Sequence, residues 1–350
     1  MSTGFAILGT GMIANFHAKA LADCPDATLI GCYSRNSDKS RAFAATHHCQ
    51  AFTNLDEALD DSRVAAVTIC TPSGAHLEPA LAAARAAKHV IVEKPLEVTV
   101  DRCDQIINAC RNAGVTLGVT FQSRFHQSSQ LMKQAVDQGR FGRLTLADAY
   151  VKWYRTQAYY DSGAWRGTWQ LDGGGALMNQ AIHSIDLLLW LMGPVIEVTA
   201  TTGMLAHERI EVEDVAVATV RFANGALGVI EASTAAFPGC LKRIEISGTQ
   251  GTAVLEEEDI KMWQFAVSSP DDDRIRTEME NRTKTGGGAG DPAAIGHHGH
   301  SAVFRDFIES IRTGRAPMIE GAEGRRSVEL ILAIYKAAKC GRTVRLDQKL

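Results

Sequence analysis

From residue 5 to about residue 122 the apolar positions follow two alternating patterns. Short, nearly continuous apolar runs (FAILG, ATLIGCYS, AAVTICT, HVIVE, VTLGVTF) are separated by stretches such as ANFHAKALAD and EPALAAARAA, whose apolar residues recur at helical spacing. Continuous runs suit strands buried on both faces, and the intervening helices would cover those faces. Residues 1–122 therefore predict an α/β domain with a doubly wound parallel sheet. From about 144 to 265 the pattern changes: DVAVATVRF and ALGVIEAS alternate apolar with polar positions and are joined by Asn224-Gly225, with further turns at Pro238-Gly239 and GTQG. That alternation predicts an antiparallel meander with one buried face. Two helical stretches follow, around FRDFIESIR and RRSVELILAIYKAAK, the latter ended by Gly341. Residues 123–350 are expected to form an α+β domain for substrate binding and oligomerisation, with a large, open-faced, mostly antiparallel sheet. A sheet face left open needs cover, so a homodimer or homotetramer through that sheet is expected.

Composition narrows the field. The chain has 350 residues, 45% of them hydrophobic, with a formal net charge of -4, which offers no basic surface for nucleic acid. Its eight cysteines show no C-x-x-C pair or zinc-like spacing, so they read as reduced thiols. The N-terminus enters a strand without a signal-like segment, and the run LLLWLM is shorter than the ~18 residues of a membrane span. A cytoplasmic protein without a membrane partner is expected.

Gly9-Thr10-Gly11-Met12-Ile13-Ala14 follows the strand FAILG and opens a helix, which is the context G-x-G-x-x-G/A requires for a dinucleotide. Gly9 permits the tight turn, Gly11 lets a pyrophosphate approach the backbone, and free amides at the helix start face the phosphates. The second strand ends Cys32-Tyr33-Ser34-Arg35-Asn36, with no carboxylate to repel a 2'-phosphate. Ser34 could donate to that phosphate, and Arg35, with Lys39 or Arg41 nearby, supplies charge. The expected cofactor is NAD(P), with NADP favoured over NAD.

Residues 173–186 read GGGALMNQAIHSID and run on into LLLWLM. At about 100° per residue, Asn179, His183 and Asp186 share one face of an otherwise apolar helix. Such a polar stripe must meet buried partners or a polar cavity, because an unsatisfied buried group costs ~1–3 kcal/mol.

Thr71-Pro72-Ser73-Gly74-Ala75-His76 ends one strand and Glu93-Lys94-Pro95 ends the next. With the glycine turn, the GGG helix bearing His183 and the later open-faced sheet, the chain resembles the Gfo/Idh/MocA (glucose-fructose oxidoreductase / inositol dehydrogenase) family. The resemblance implies hydride transfer between a nicotinamide and a ring hydroxyl or ketone of a sugar, anhydrosugar, inositol or sugar uronic acid. It maps a catalytic lysine onto Lys94 and a catalytic histidine onto His183. Thr71, Pro72, Ser73, His76, Glu93, Lys94 and Gln122 join Gly9, Thr10, Gly11, Met12, Ile13, Ser34 and Arg35 as candidates for the cofactor site. Asn179 stands where the family often has aspartate. An asparagine can hydrogen-bond a hydroxyl but cannot take its proton, so proton transfer falls to His183 and Lys94. Which of the two is the primary base is left open.

An aromatic and cationic cluster precedes the GGG helix: Tyr150 to Arg155, Tyr159-Tyr160 and Trp165-Arg166. Aromatic faces suit sugar rings, and Lys or Arg can hold hydroxyls, carboxylates or phosphates. Lys152, Tyr160, Arg166, Gln122 and Arg124 are the expected substrate residues, with Lys94, Asn179 and His183. The polar stretch 266–300 is expected to be a mobile lid or a loop ordered by substrate. His297, His298 and His300 are poorly spaced for chelation, so no metal is expected, and His300 is expected to cap the helix beginning SAVFRDF or touch substrate. Two other readings are a glycosidase that uses a held NAD and a dinucleotide-sensing regulator without catalysis.

Overall fold

The computed structural model describes residues 2–283, 288–291 and 296–346. In chain order the elements are β1 (Thr3–Leu8), α1 (Met12–Ala22), β2 (Ala27–Tyr33), α2 (Ser37–His47), β3 (Gln50–Ala51), α3 (Leu55–Asp60), β4 (Ala66–Ile69), α4 (Leu77–Arg85), β5 (His89–Val92), α5 (Val100–Ala113) and β6 (Leu117–Val119). They continue with α6 (Gln127–Asp137), β7 (Leu144–Lys152), α7 (Gln157–Asp161), a π-helical turn (Ala176–Ala181), α8 (Ile182–Met192), β8 (Val195–Gly203), β9 (Val215–Phe222) and β10 (Leu227–Ser233). The last are β11 (Arg243–Gly248), β12 (Gly251–Glu256), β13 (Asp259–Phe265), α9 (Asp272–Glu278), α10 (His298–Thr313), α11 (Gly321–Cys340) and β14 (Val344–Arg345).

The chain divides into two compact units, one of residues 1–122 with 296–328, the other of 123–295 with 329–350. In the first, six described strands form a parallel sheet in the order β3-β2-β1-β4-β5-β6. The order reverses between β1 and β4, and in such sheets ligands bind beyond the carboxyl ends of the strands at that reversal. The expected second domain included residues 296–328, but these belong to the first unit. The reason is apolar: Phe304 of α10 meets Phe5 of β1 edge to face at 5.6 Å, and Phe307 fills the space that a Cβ on Gly118 of β6 would need, 2.8 Å away.

In the second unit eight described strands form a sheet in the order β13-β12-β11-β7-β10-β9-β8-β14. Every neighbouring pair is antiparallel except β7 and β10, which run parallel at the centre. The expected meander is therefore mixed, because α8, β8 and β9 intervene between those two strands. Helices α6 and α8 cover one face; α8 is almost wholly buried, as its apolar sequence requires. On the other face Leu146, Val217, Leu227 and Met262 are exposed.

Part of the stretch expected to be a lid is structured. Asp272, in α9, accepts from the Arg140 guanidinium at 2.7 and 2.8 Å and from Trp263 Nε1, which holds its carboxyl well below the usual range. Residues 284–287 and 292–295 of that stretch lie outside the described residues.

Candidate active site

In the first unit the glycine turn is built as its sequence demands. Gly9 has φ +99°, and a Cβ there would lie 2.6 Å from the Cys70 carbonyl oxygen, so the turn admits only glycine. Gly11 caps α1 without a side-chain acceptor, no acidic residue occupies the first turn, and the space a Cβ would take on Gly11 is open. The first amides of α1, at Met12 and Ile13, thus remain available for an anion, while Ala14 is fully buried against the sheet. These residues fit a dinucleotide pyrophosphate.

At the end of β2, Ser34 is already engaged. Its hydroxyl lies 2.9 Å from Ser40 Oγ and 3.0 Å from the Asn36 carbonyl, and it accepts from Thr10 Oγ1 at 3.1 Å. Arg35 is exposed, and the charge of nearby Arg41 is paired with Asp38. The hydroxyl expected to favour a 2'-phosphate is thereby engaged, since a hydroxyl has one proton to give, while Arg35 and Lys39 stay exposed.

Lys94 is half-buried at the carboxyl end of β5 and enters a cis peptide bond to Pro95. Glu93 and His76 hold this turn from its two sides. The Lys94 backbone N–H donates to Glu93 Oε2 at 3.1 Å, and Glu93 Oε1 lies 2.7 Å from His17 Nε2. His76, fully buried, places Nδ1 2.9 Å from the Pro95 carbonyl and Nε2 3.0 Å from that of Thr71, so it ties the two strand-end loops together. Burial pushes its pKa down. Thr71 closes its own loop onto the Ala75 carbonyl, Pro72 leads into the turn at Ser73–Ala75, and Ser73 is buried. Gln122 keeps a buried Oε1 with no hydrogen-bond partner among the described residues, a feature that a bound amide or hydroxyl would resolve.

In the second unit the GGG segment is pinned by Glu213. Its carboxylate accepts from the backbone N–H of Gly175 and Leu177 at 3.0 and 2.8 Å and from the Tyr335 hydroxyl at 3.0 Å. A Cβ on Gly175 would lie 1.8 Å from the Glu213 carbonyl, and one on Gly174 2.1 Å from the Tyr335 hydroxyl, so the glycines allow this approach. Burial outweighs the three donors and pushes the Glu213 carboxyl up to about 7. The π-helical turn then hands over to α8, whose second residue is His183, half-buried.

The polar stripe has separate destinations, partly because the π turn changes the angle between Asn179 and the later positions. Asp186 is completely buried in a bidentate pair with Arg124, whose Nε and Nη2 donate at 2.8 and 2.6 Å. Arg124, expected to line a substrate pocket, is itself buried and serves this pair. Asn179 donates its amide to Asp172, which also accepts from the Gly167 N–H at 2.8 Å. Asp172 was not anticipated, although the sequence LDGGG carries it next to the glycines. His17 and Glu213 were missed as well; their one local signal is a polar residue inside a buried apolar pattern.

The aromatic cluster is partly core. Tyr160 is 5% exposed, donates to or accepts from Thr234 Oγ1 at 2.8 Å and meets His207 edge to face; burial pushes its hydroxyl pKa up. Lys152 points to the open sheet face, where it pairs with Glu231 at 2.9 Å. Arg155, buried, donates to Gln180 Oε1 and to the carbonyls of Gly288 and Ala289. Arg166 is half-buried between the rings of Tyr159 and Trp165, with 4.6 and 4.7 Å to their centroids, and among the described residues it meets no carboxylate. His300, expected to cap α10, is instead 1% exposed and 3.6 Å from Glu93, while His297 lies 3.0 Å from Asp23.

Comparison with known proteins agrees with this layout. Residues 3–121 match the family model described as an oxidoreductase family with an NAD-binding Rossmann fold, and residues 129–254 match a GFO/IDH/MocA C-terminal domain. The WlbA dehydrogenase of Bordetella pertussis, solved with NADH and UDP-GlcNAcA, is 36% identical with a TM-score of 0.91, covering 99% of each chain. The WlbA dehydrogenase of Chromobacterium violaceum, with the same two ligands, is 33% identical with a TM-score of 0.88, covering all of this chain and 97% of its own. The myo-inositol 2-dehydrogenase of Thermotoga maritima is 27% identical over 98% of each chain.

Proposed function

The chain belongs to the Gfo/Idh/MocA family of oxidoreductases, and on that premise we propose that it oxidises a ring hydroxyl of a nucleotide-linked sugar uronic acid with NAD as acceptor. The observation that carries the substrate class is the 36% identity over 99% of the chain to an enzyme solved with UDP-GlcNAcA. The half-buried Arg166 guanidinium, flanked by two aromatic rings and facing no carboxylate among the described residues, supports an anionic substrate. Preference for NAD over the NADP expected from sequence rests on Ser34, whose hydroxyl is spent within the protein, and on the NADH held by both WlbA enzymes.

A bound nicotinamide supplies the hydride acceptor. The amides of Met12 and Ile13 would hold its pyrophosphate, and Gln122 with the Thr71–His76 loop would flank the cofactor. Lys94 and His183 share the proton work: one would orient the substrate oxygen and the other would take its proton as hydride leaves. Asn179 binds a substrate hydroxyl, with Asp172 fixing its amide. Arg166 holds the carboxylate. The open sheet face joins copies into a homo-oligomer.

The test is a spectrophotometric screen at neutral pH of UDP-linked uronates, free uronates, inositols and anhydrosugars with NAD and NADP. Reduction of NAD with a UDP-linked uronate and no other substrate is expected. Turnover on an uncharged sugar alone overturns the substrate class.

A further inference from the structure

Beneath Lys94 lies a cluster that the reaction above does not use. His17 of α1, Glu93 at the end of β5 and His300 of α10 are all buried, and their ligand atoms lie within 4.8 Å of one another. His17 Nε2 is 2.7 Å from Glu93 Oε1, and its Nδ1 is 2.7 Å from Thr68 Oγ1. The threonine hydroxyl can donate to Nδ1, which leaves an N–H on Nε2 to donate to the carboxylate. His300 Nε2 faces the same Glu93 oxygen at 3.6 Å, and its buried Nδ1 has no hydrogen-bond partner among the described residues. The second Glu93 oxygen receives the Lys94 backbone N–H.

This spacing could hold a metal ion, but such an ion would have to displace the short His17–Glu93 contact and sit within the field of the Lys94 charge. The His300 pKa is held down chiefly by burial, with the Lys94 charge a lesser influence. The titratable groups facing Glu93 are His17 from α1, Cys70 from the end of β4, His76, and His300 from α10. Burial keeps the Cys70 thiol neutral and pushes His76 and His300 down. Burial opposes ionisation of Glu93, but hydrogen bonding and charge from His17 and His300 prevail and hold its carboxyl well below the usual range, so a carboxylate stands one residue from Lys94.

We propose that Glu93, anchored by His17 and faced by His300, is a positioning residue for Lys94: it clamps the lysine backbone and favours the ammonium form of its side chain. This rests on the reading of Lys94 as a proton-handling group. A fixed buried anion raises the pKa of a nearby amine, so without ligand the lysine is held in its ammonium form. Without Glu93 the amine would be neutral over more of the working pH range and its turn less constrained.

The experiment is competitive labelling of Lys94 by acetic anhydride across pH 6–11, read by peptide mass spectrometry on the full chain without ligand, beside the pH profile of kcat. Glu93→Gln is expected to lower the labelling midpoint by about one pH unit, a tenfold change in the proton equilibrium, and to move the kcat limb with it. His17→Leu, which removes the donor that keeps Glu93 ionised, is expected to shift the midpoint the same way, and His17→Gln, which retains an N–H, to restore it. Folded Glu93→Gln with an unmoved midpoint overturns the proposal. If that variant does not fold, equal midpoints in His17→Leu and His17→Gln overturn it. The labelling midpoint does not depend on turnover, so a wild type inactive on every sugar would refute the proposed reaction and leave this result to be decided separately.

Discussion

The Asn179 amide donates to Asp172, a fully buried carboxylate that also holds the Gly167 N–H. The carboxylate that the family often carries at position 179 is thus present nearby, on the strand of loop before the glycines. Asp172→Ala leaves two donors without an acceptor and should cost on the order of 2 kcal/mol of stability. Because Asn179 lies one turn before His183, kcat should fall more than KM rises. Asn179→Asp sets two carboxylates side by side, and one of them must then titrate at raised pKa. Its stability deficit should be absent at low pH and appear as pH rises through that pKa, which thermal melts at several pH values would reveal.

Arg124 and Asp186 form the most deeply buried bidentate ion pair described, with 2% and 0% side-chain exposure. Removing one partner strands the other charge, so Arg124→Met should cost about 3–5 kcal/mol. The double change Arg124→Met with Asp186→Leu should recover most of that loss. A urea-denaturation double-mutant cycle measures the difference, and an unchanged KM in the double variant would separate Arg124 from substrate binding.

Glu213 gives the second unit a pH dependence of definite sign. Its folded pKa, about 7, exceeds the ordinary 4.5, so the native state binds the extra proton between those values. Stability should decline as pH rises from about 4.5 through about 7 and level off above, by at most about 3 kcal/mol from this group. In Glu213→Gln the slope in that window should flatten, although the variant loses an acceptor for a backbone N–H and melts lower throughout.

His183→Ala should reduce kcat by at least about 100-fold while the dissociation constant for NADH, followed by fluorescence, stays within about twofold. Undiminished turnover removes His183 from the mechanism. Ser34→Asp should weaken NADPH binding far more than NADH, since a carboxylate repels the 2'-phosphate.

On the open sheet face, Val217→Lys with Leu227→Lys places charges at two exposed apolar positions on adjacent strands. Sedimentation should show an oligomer for the wild type and a smaller species for this double variant, with no loss of the fold.

The amino-acid sequence by itself determined the features that are periodic or local. Alternating apolar runs specified the parallel sheet, the glycine turn specified its own φ and close approach, and the GGG segment marked a tightly packed helix start. These depend on neighbours a few residues apart, so they survive without knowledge of the fold. Tertiary structure decided where each polar side chain spends its hydrogen bonds. Arg124 finds Asp186 62 residues away and His17 finds Glu93 76 away, and neither partner can be read from spacing. The Phe304 and Phe307 contacts that return α10 to the first unit are equally distant in sequence. Burial fixed these choices, because a charge or donor removed from water must take whatever partner the packed elements bring within reach.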